Sequence, residues 1–258
     1  MDDGIKRTMN QAMESARKEL SPSGVLRIGV AVSPSPSAIF VVRDAVACGL
    51  RGVTVDLGRA LAESLGVPVR FIEYASSGAI TVAADKGEWD ASFMPVDAER
   101  KQLMDFGAPY HLLQSTYLVR AGCDVNSLDA ANKAGVRIVG IEGTATFRAS
   151  NKASPEATQT GVRSPDEAIA MLKDGRADAL AMGRESLMGL LGMQPGARLI
   201  EGGFMNSTTA VVVPKGKPAA LAYVTQFIEE AKASGLVRRA FDAIGLNTSV
   251  VAPAGMKP

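Results

Sequence analysis

The chain of 258 residues suffices for one large domain or two lobes of about 100–150 residues each. Hydrophobic residues make up 47 % and charged residues 21 %, the balance of a globular protein with a real core, and a formal net charge of +1 excludes a strong pull toward nucleic acid or an anionic membrane. Aromatics at 5 % argue against base stacking, and no apolar stretch approaches the roughly 18–20 residues that span a bilayer.

The first segment is charged, with Ile5, Met9, Ala12, Met13 and Ala16 spaced as one helical face, which predicts a helix over about 4–20. That helix either packs back on the neighbouring lobe or offers its face to a partner. It has no apolar core region and no small-residue cleavage site, so it is not a secretory leader. Either a leader has been removed ahead of this numbering, or the protein stays in the cytoplasm. Cys48 and Cys123 form no metal-ligand spacing with the only histidine, His111, and are expected as two free thiols or a pair; no metal and no cofactor is expected.

After a Ser21-Pro22-Ser23-Gly24 break, Val25–Val32 reads as a strand, followed by the proline-broken loop Ser33-Pro34-Ser35-Pro36-Ser37. This loop lies just beyond the carboxyl end of the strand, where open α/β sheets place ligands. A helix is predicted over Thr54–Leu65, with Thr54 as N-cap and Gly66 as stop. Val67–Tyr74 is a second strand, Ser76-Ser77-Gly78 a turn into a short helix, and Asp90–Met94 a third strand. The alternation then repeats. Val136–Ile141 is a strand, Gly143-Thr144 begins a helix, and Ser164-Pro165-Asp166-Glu167 is a strong helix start. Ala177–Met182 and Ala210–Val213 are strands, and helices follow over about 218–233 and 236–244. This pattern predicts two α/β units with largely parallel sheets, joined by the β-rich segment Ser115–Val119 rather than by a loose linker.

Four motifs in order carry a resemblance over about residues 25–245. They are Gly52-Val53-Thr54-Val55-Asp56-Leu57 with Leu65-Gly66-Val67-Pro68; Gly87-Glu88-Trp89-Asp90 with Pro95-Val96-Asp97-Ala98-Glu99-Arg100 and Asp105-Phe106-Gly107-Ala108-Pro109-Tyr110; Val139-Gly140-Ile141-Glu142-Gly143-Thr144; and Gly175-Arg176-Ala177-Asp178-Ala179. The chain resembles the type II periplasmic solute-binding proteins, specifically the polar amino-acid group that feeds ABC transporters. The resemblance implies a two-lobed α/β fold, each lobe a mixed, mostly parallel sheet flanked by helices, with hinge strands between them. It implies a monomer in the periplasm that hands a small carboxylate ligand to a transporter permease and neither spans the membrane nor binds nucleic acid. The expected division is an N-terminal helix and linker over 1–24, one lobe from 25–114 with 213–258, and a second over 115–212. Closure would bend strands near 112–119 and 206–213.

The resemblance puts Arg100 where relatives grip a ligand carboxylate, which suits the two-pronged guanidinium. Ser92 would turn a hydroxyl inward beside it, Pro95 stands where relatives often have serine, and Asp97 lies in the same loop. In the second lobe Thr144, Ala145 and Thr146 open a helix whose N-terminus favours an anion. Gly183 occupies the place where relatives carry the acid that holds the ligand ammonium, and Ser76 and Ser77 replace an aromatic. Glu185 could supply the missing acid, and Arg184 could bind a second acidic group. The expected ligand is therefore an organic acid or polar carboxylate without a strict α-amino requirement. Two other readings stand beside this one: a ligand-sensing module without a transporter, and a lyase or dehydratase using Asp97 or Glu185, with His111 structural.

Overall fold

The computed structural model describes residues 3–32, 41–43, 49–247 and 249–258. The Ser33–Ser37 loop, Cys48 and the side chains of Ile5 and Met9 lie outside that description; Cys123 is half-buried.

In chain order the elements begin with α1 (Asp3–Leu20), β1 (Leu26–Ala31), β2 (Val42–Arg43), β3 (Leu50–Arg51), α2 (Val53–Leu65), β4 (Val69–Tyr74) and α3 (Ser77–Val82). Next come β5 (Ala91–Pro95), α4 (Arg100–Leu103), β6 (Met104–Val119), α5 (Leu128–Ala131), β7 (Arg137–Ile141) and α6 (Ala145–Ala153). The chain closes with β8 (Thr158–Val162), α7 (Pro165–Lys173), β9 (Ala179–Gly183), α8 (Arg184–Leu191), β10 (Arg198–Leu199), β11 (Met205–Pro214), α9 (Pro218–Ala233), α10 (Leu236–Asp242) and β12 (Val250–Val251).

Local chemistry sets many of these boundaries. Ser76, Ser127, Thr144 and Ser164 each accept a hydrogen bond from the N–H three residues on, capping α3, α5, α6 and α7. Such a cap contributes about 1 kcal/mol. Helix α2 ends at Gly66, which adopts φ 65° and returns its N–H to the carbonyls of Ala62 and Glu63. Its start differs from expectation: Gly52, at φ 144°, takes the cap position and Thr54 is buried inside the first turn. A glycine reaches that backbone conformation without a Cβ penalty, so no side-chain cap is needed to turn the chain.

The main sheet has the strand order β4-β1-β5-β11-β6-β9-β7-β8. Strands β4, β1 and β5 are parallel, and β11 joins them antiparallel. Strands β8, β7 and β9 repeat this arrangement, and β6 joins them antiparallel. Strands β6 and β11 are long and pair with each other, so each begins in one half and ends in the other. Strand β6 changes partner at Ser115, which faces both Met205 of β11 and Gly183 of β9.

Each half has its own core. Around β1 and β5, Leu26, Ile28, Val30, Ala91 and Phe93 pack with Leu57, Leu61 and Leu65 of α2, and with Val224, Ile228 and Phe241 of the C-terminal helices. Helix α1 docks here too: Ala16 and Leu20 are buried, Arg17 donates to the Leu65 carbonyl, and Glu19 accepts from the Ala220 N–H at the start of α9. In the other half, strand alternation sends Leu118, Leu180 and Met182 to one face and Tyr117, Val119, Ala179 and Ala181 to the other.

The two halves share a locking device. Asp90, just before β5, accepts from the Arg27 N–H (2.9 Å), Nε (2.9 Å) and Nη2 (2.6 Å). Asp178, just before β9, accepts from the same three groups of Arg137 at 3.0, 3.0 and 2.7 Å. In each case the aspartate N–H returns to the arginine carbonyl at 2.8 Å. A buried carboxylate is tolerated because every oxygen is answered, and the pair fixes how the neighbouring strands begin.

Candidate functional site

A narrow cavity of about 50 Å³, open to solvent at its mouth, lies between the two halves. It lies at the carboxyl ends of the parallel strands, where such sheets place ligands. One wall is built by Gly29–Ala31 at the end of β1, Thr54, Ser77, Ile80, Phe93, Pro95 and Thr209. The facing wall is Leu113, Ile141, Thr144–Thr146, Ala181–Gly183 and Ser186. The halves touch closely beside it. A Cβ built on Gly78 would stand 2.5 Å from the Glu142 carbonyl oxygen and 3.1 Å from the Gly143 Cα.

Of the residues singled out from the sequence, Ser77, Pro95, Thr144, Ala145, Thr146 and Gly183 line this cavity. Ser76 caps α3 and lines a small hollow that shares Ser77, Ile141 and Thr144 with it. Thr144 caps α6, accepting from the Phe147 N–H, while its hydroxyl donates to the Ile141 carbonyl at 2.7 Å. The positive end of the α6 dipole therefore faces the cavity through Ala145 and Thr146.

Arg100 is fully buried and lies against the wall rather than in it. Its Nη1 donates to the Pro95 carbonyl at 3.0 Å, and its Nη2 to the Ser77 hydroxyl at 2.9 Å and the Gly143 carbonyl at 3.4 Å. Its Nε has no hydrogen bond and stands 3.6 Å from Asp97 Oδ2. Burial lowers the guanidinium pKa to about 10, with the Asp97 charge opposing that shift, so the group is still a cation at neutral pH. Arg100 thus joins Ser77 on one half to Gly143 on the other.

Three expectations are corrected. The Ser92 hydroxyl does not enter the cavity: strand alternation turns Phe93 and Pro95 toward it and Ser92 away, where it donates to the Gly29 carbonyl at 2.7 Å and ties β5 to β1. Asp97 is taken up by its own chain and by the facing half. It accepts from the Glu99 and Arg100 N–H groups, and its other oxygen pairs with Arg148 of α6, which also meets Glu99 at 2.9 Å. Arg184 turns outward to the Gln114 amide oxygen (2.6 Å) and to the carbonyls of Ile200 (3.1 Å) and Gly202 (2.7 Å).

Glu185 also turns from the cavity. Its Oε1 lies 3.0 Å from His111 Nε2 and accepts from Ser249 at 3.4 Å, while Oε2 is buried without a hydrogen bond. The lining residues that sequence reasoning missed are chiefly Thr54, Ser186 and Thr209. The polar run Asn206-Ser207-Thr208-Thr209, standing directly before the apolar Ala210–Val213, was the available signal for the last of these. Among the described residues no cluster of His, Cys, Asp or Glu could hold a metal ion, and no helix is long and apolar enough to cross a membrane.

The chain is 25 % identical over 204 residues to a glutamine-binding protein of Geobacillus stearothermophilus, covering 78 % of this chain and 76 % of that protein. It is 29 % identical over 184 residues to an L-arginine-binding protein of Pseudomonas aeruginosa, covering 63 % of this chain and 68 % of the relative. Among solved structures, a mutant of ArgBP from T. maritima superposes with a TM-score of 0.78 at 21 % identity, over 88 % of this chain and 98 % of that one. An ancestral amino acid-binding protein, described as a precursor of cyclohexadienyl dehydratase, superposes at 0.76 with 26 % identity, over 88 % and 97 %. The fold is that of the type II periplasmic binding proteins. The family model for bacterial extracellular solute-binding proteins, family 3, matches residues 26–243, and the chain belongs to that family.

Proposed function

We infer that this solute-binding protein closes its two lobes around a small carboxylate-bearing ligand outside the cytoplasm and delivers it to an ABC-type permease. The lobes are residues 25–114 with 213–258, and residues 115–212, bending where β6 and β11 pass between them. The observation that carries this reading is Arg100, a buried cation at the junction of both lobes whose hydrogen bonds all go to neutral oxygens. Asp97 stands 3.6 Å from the Arg100 Nε without a hydrogen bond. A carboxylate entering from the cavity would add a hydrogen-bonded counter-charge at the other end of the guanidinium, and the N-terminus of α6 would share it from the opposite wall. Because the ligand touches both lobes only when they are shut, binding energy becomes closure energy. The named relatives are binding proteins, which supports capture rather than turnover.

The test is a thermal-shift and calorimetric screen of amino acids and short organic acids against their methyl esters. An acid at about 100 times its Kd adds ~2.7 kcal/mol of stability. It should be recovered chemically unchanged, and Arg100→Ala should cost about 2–5 kcal/mol of its binding. Esters that match their acids, or a variant that binds unchanged, would overturn the reading.

A further inference from the structure

Among the described residues, no charged side chain lines the cavity. Its body is apolar, with Val30, Ile80, Phe93, Leu113, Ile141 and Met182 drawn from both lobes. Three carboxylates close to lining residues in the chain are placed elsewhere: Asp97 with Arg148 and the start of α4, Glu185 with His111 and Ser249, and Glu142 exposed and lying over Gly161. An α-ammonium shut into this space would have carbonyl and hydroxyl oxygens but no counter-charge among the described residues, and a buried cation without one is strongly disfavoured.

Thr209 adds an independent observation. It is 1 % exposed, it lines the cavity, and its Oγ1 has no hydrogen-bond partner. The register of β11 sets it opposite Pro95 of β5, whose carbonyl takes the Arg100 Nη1. An unanswered hydroxyl therefore stands one strand from the guanidinium that the carboxylate reading assigns to the ligand. A neutral oxygen beside the carboxyl carbon would accept the proton of that hydroxyl, whereas an ammonium, which has no lone pair, could only donate to the hydroxyl oxygen and would leave its proton unanswered.

Resting on that carboxylate reading, we propose that the cavity takes short monocarboxylates with an apolar, branched tail and a neutral oxygen at C2 (2-oxo or 2-hydroxy acids) in preference to α-amino acids. Thr209 is the specificity-determining residue, bonding the C2 oxygen while Arg100 holds the carboxylate. The apolar residues of both walls receive the tail.

The experiment is isothermal titration of the full chain with 4-methyl-2-oxopentanoate, its methyl ester, leucine, glutamine, arginine and 4-methylpentanoate. The 2-oxo acid should bind at least about tenfold more tightly than leucine. Thr209→Val should lose about tenfold for the 2-oxo acid and leave 4-methylpentanoate unchanged, while melting at the same or a higher temperature because a buried orphan hydroxyl is gone. Thr209→Ser should keep the discrimination. If an amino acid binds more tightly than the 2-oxo acid, and does so through Arg100, the proposal falls and the carboxylate reading stands. If the ester binds as well as the acid, both fall. Absence of binding by every acid at millimolar concentration also overturns the proposal.

Discussion

Arg100 and Asp178 are both buried charges, held in opposite ways. Arg100 meets neutral acceptors and is pulled toward its uncharged form by burial. The Asp178 carboxyl is lowered to about 2, first by the hydrogen bond from the Arg137 side chain, with its backbone N–H and Arg120 adding to it. A carboxyl depressed on folding stabilises the protein above its unfolded pKa, and that stabilisation is lost as the pH falls through the folded value. Solvent screening discounts the contribution to about 1–2 kcal/mol. Asp178→Asn should therefore be less stable than the parent by that amount in denaturant titrations at pH 7, and the gap should close between about pH 4 and pH 2; a gap that does not change with pH would contradict the assignment. Side-chain direction was the part least legible in the sequence. Motif position put Arg100 at the site, and the structure sets it against the cavity wall. Ser92 and Arg184 were misdirected because their orientations depend on strand phase and on partners far along the chain, Gly29 for one and Gln114 for the other.

At the scale of elements, α3 meets the β7–α6 turn across the cleft with almost no room to spare. Gly78 leaves no room for a methyl group against the Glu142 carbonyl, which is backbone and cannot swing aside. Gly78→Ala should fold normally, since alanine suits a helix better than glycine. It should keep the lobes apart, lowering ligand affinity by about tenfold or more and enlarging the ligand-bound radius of gyration in small-angle scattering. Unchanged affinity and radius would show that this contact does not form on closure. Most elements were legible because their signals are local: Ser164-Pro165 opens α7, Gly66 ends α2, and apolar runs mark β1, β7 and β11. The cap of α2 was misplaced because a glycine at φ 144° made a side-chain cap unnecessary. Short strands such as β2, β3, β10 and β12 carry too few residues for any periodicity and are recruited by tertiary pairing.

At the scale of the molecule, the two halves are variations on one plan. Each has three parallel strands, an antiparallel fourth on a strand shared through the hinge, and an Asp–Arg lock at the root of its sheet. The cavity arises where the carboxyl ends of these sheets face one another, so residues distant in sequence, such as Ser77, Thr144 and Thr209, meet there. The alternation of strands and helices made that plan readable, but the hydroxyl and apolar lining was not, because it is assembled by the crossing of β6 and β11. The most direct test of the account is a crystal structure of the chain with the acid that stabilises it most. The account predicts a ligand carboxylate within hydrogen-bond distance of the Arg100 guanidinium, in place of the long bond to Gly143, and facing the N-terminus of α6. A ligand bound outside the cleft, or one in the cleft with its carboxylate turned away from Arg100, would contradict it.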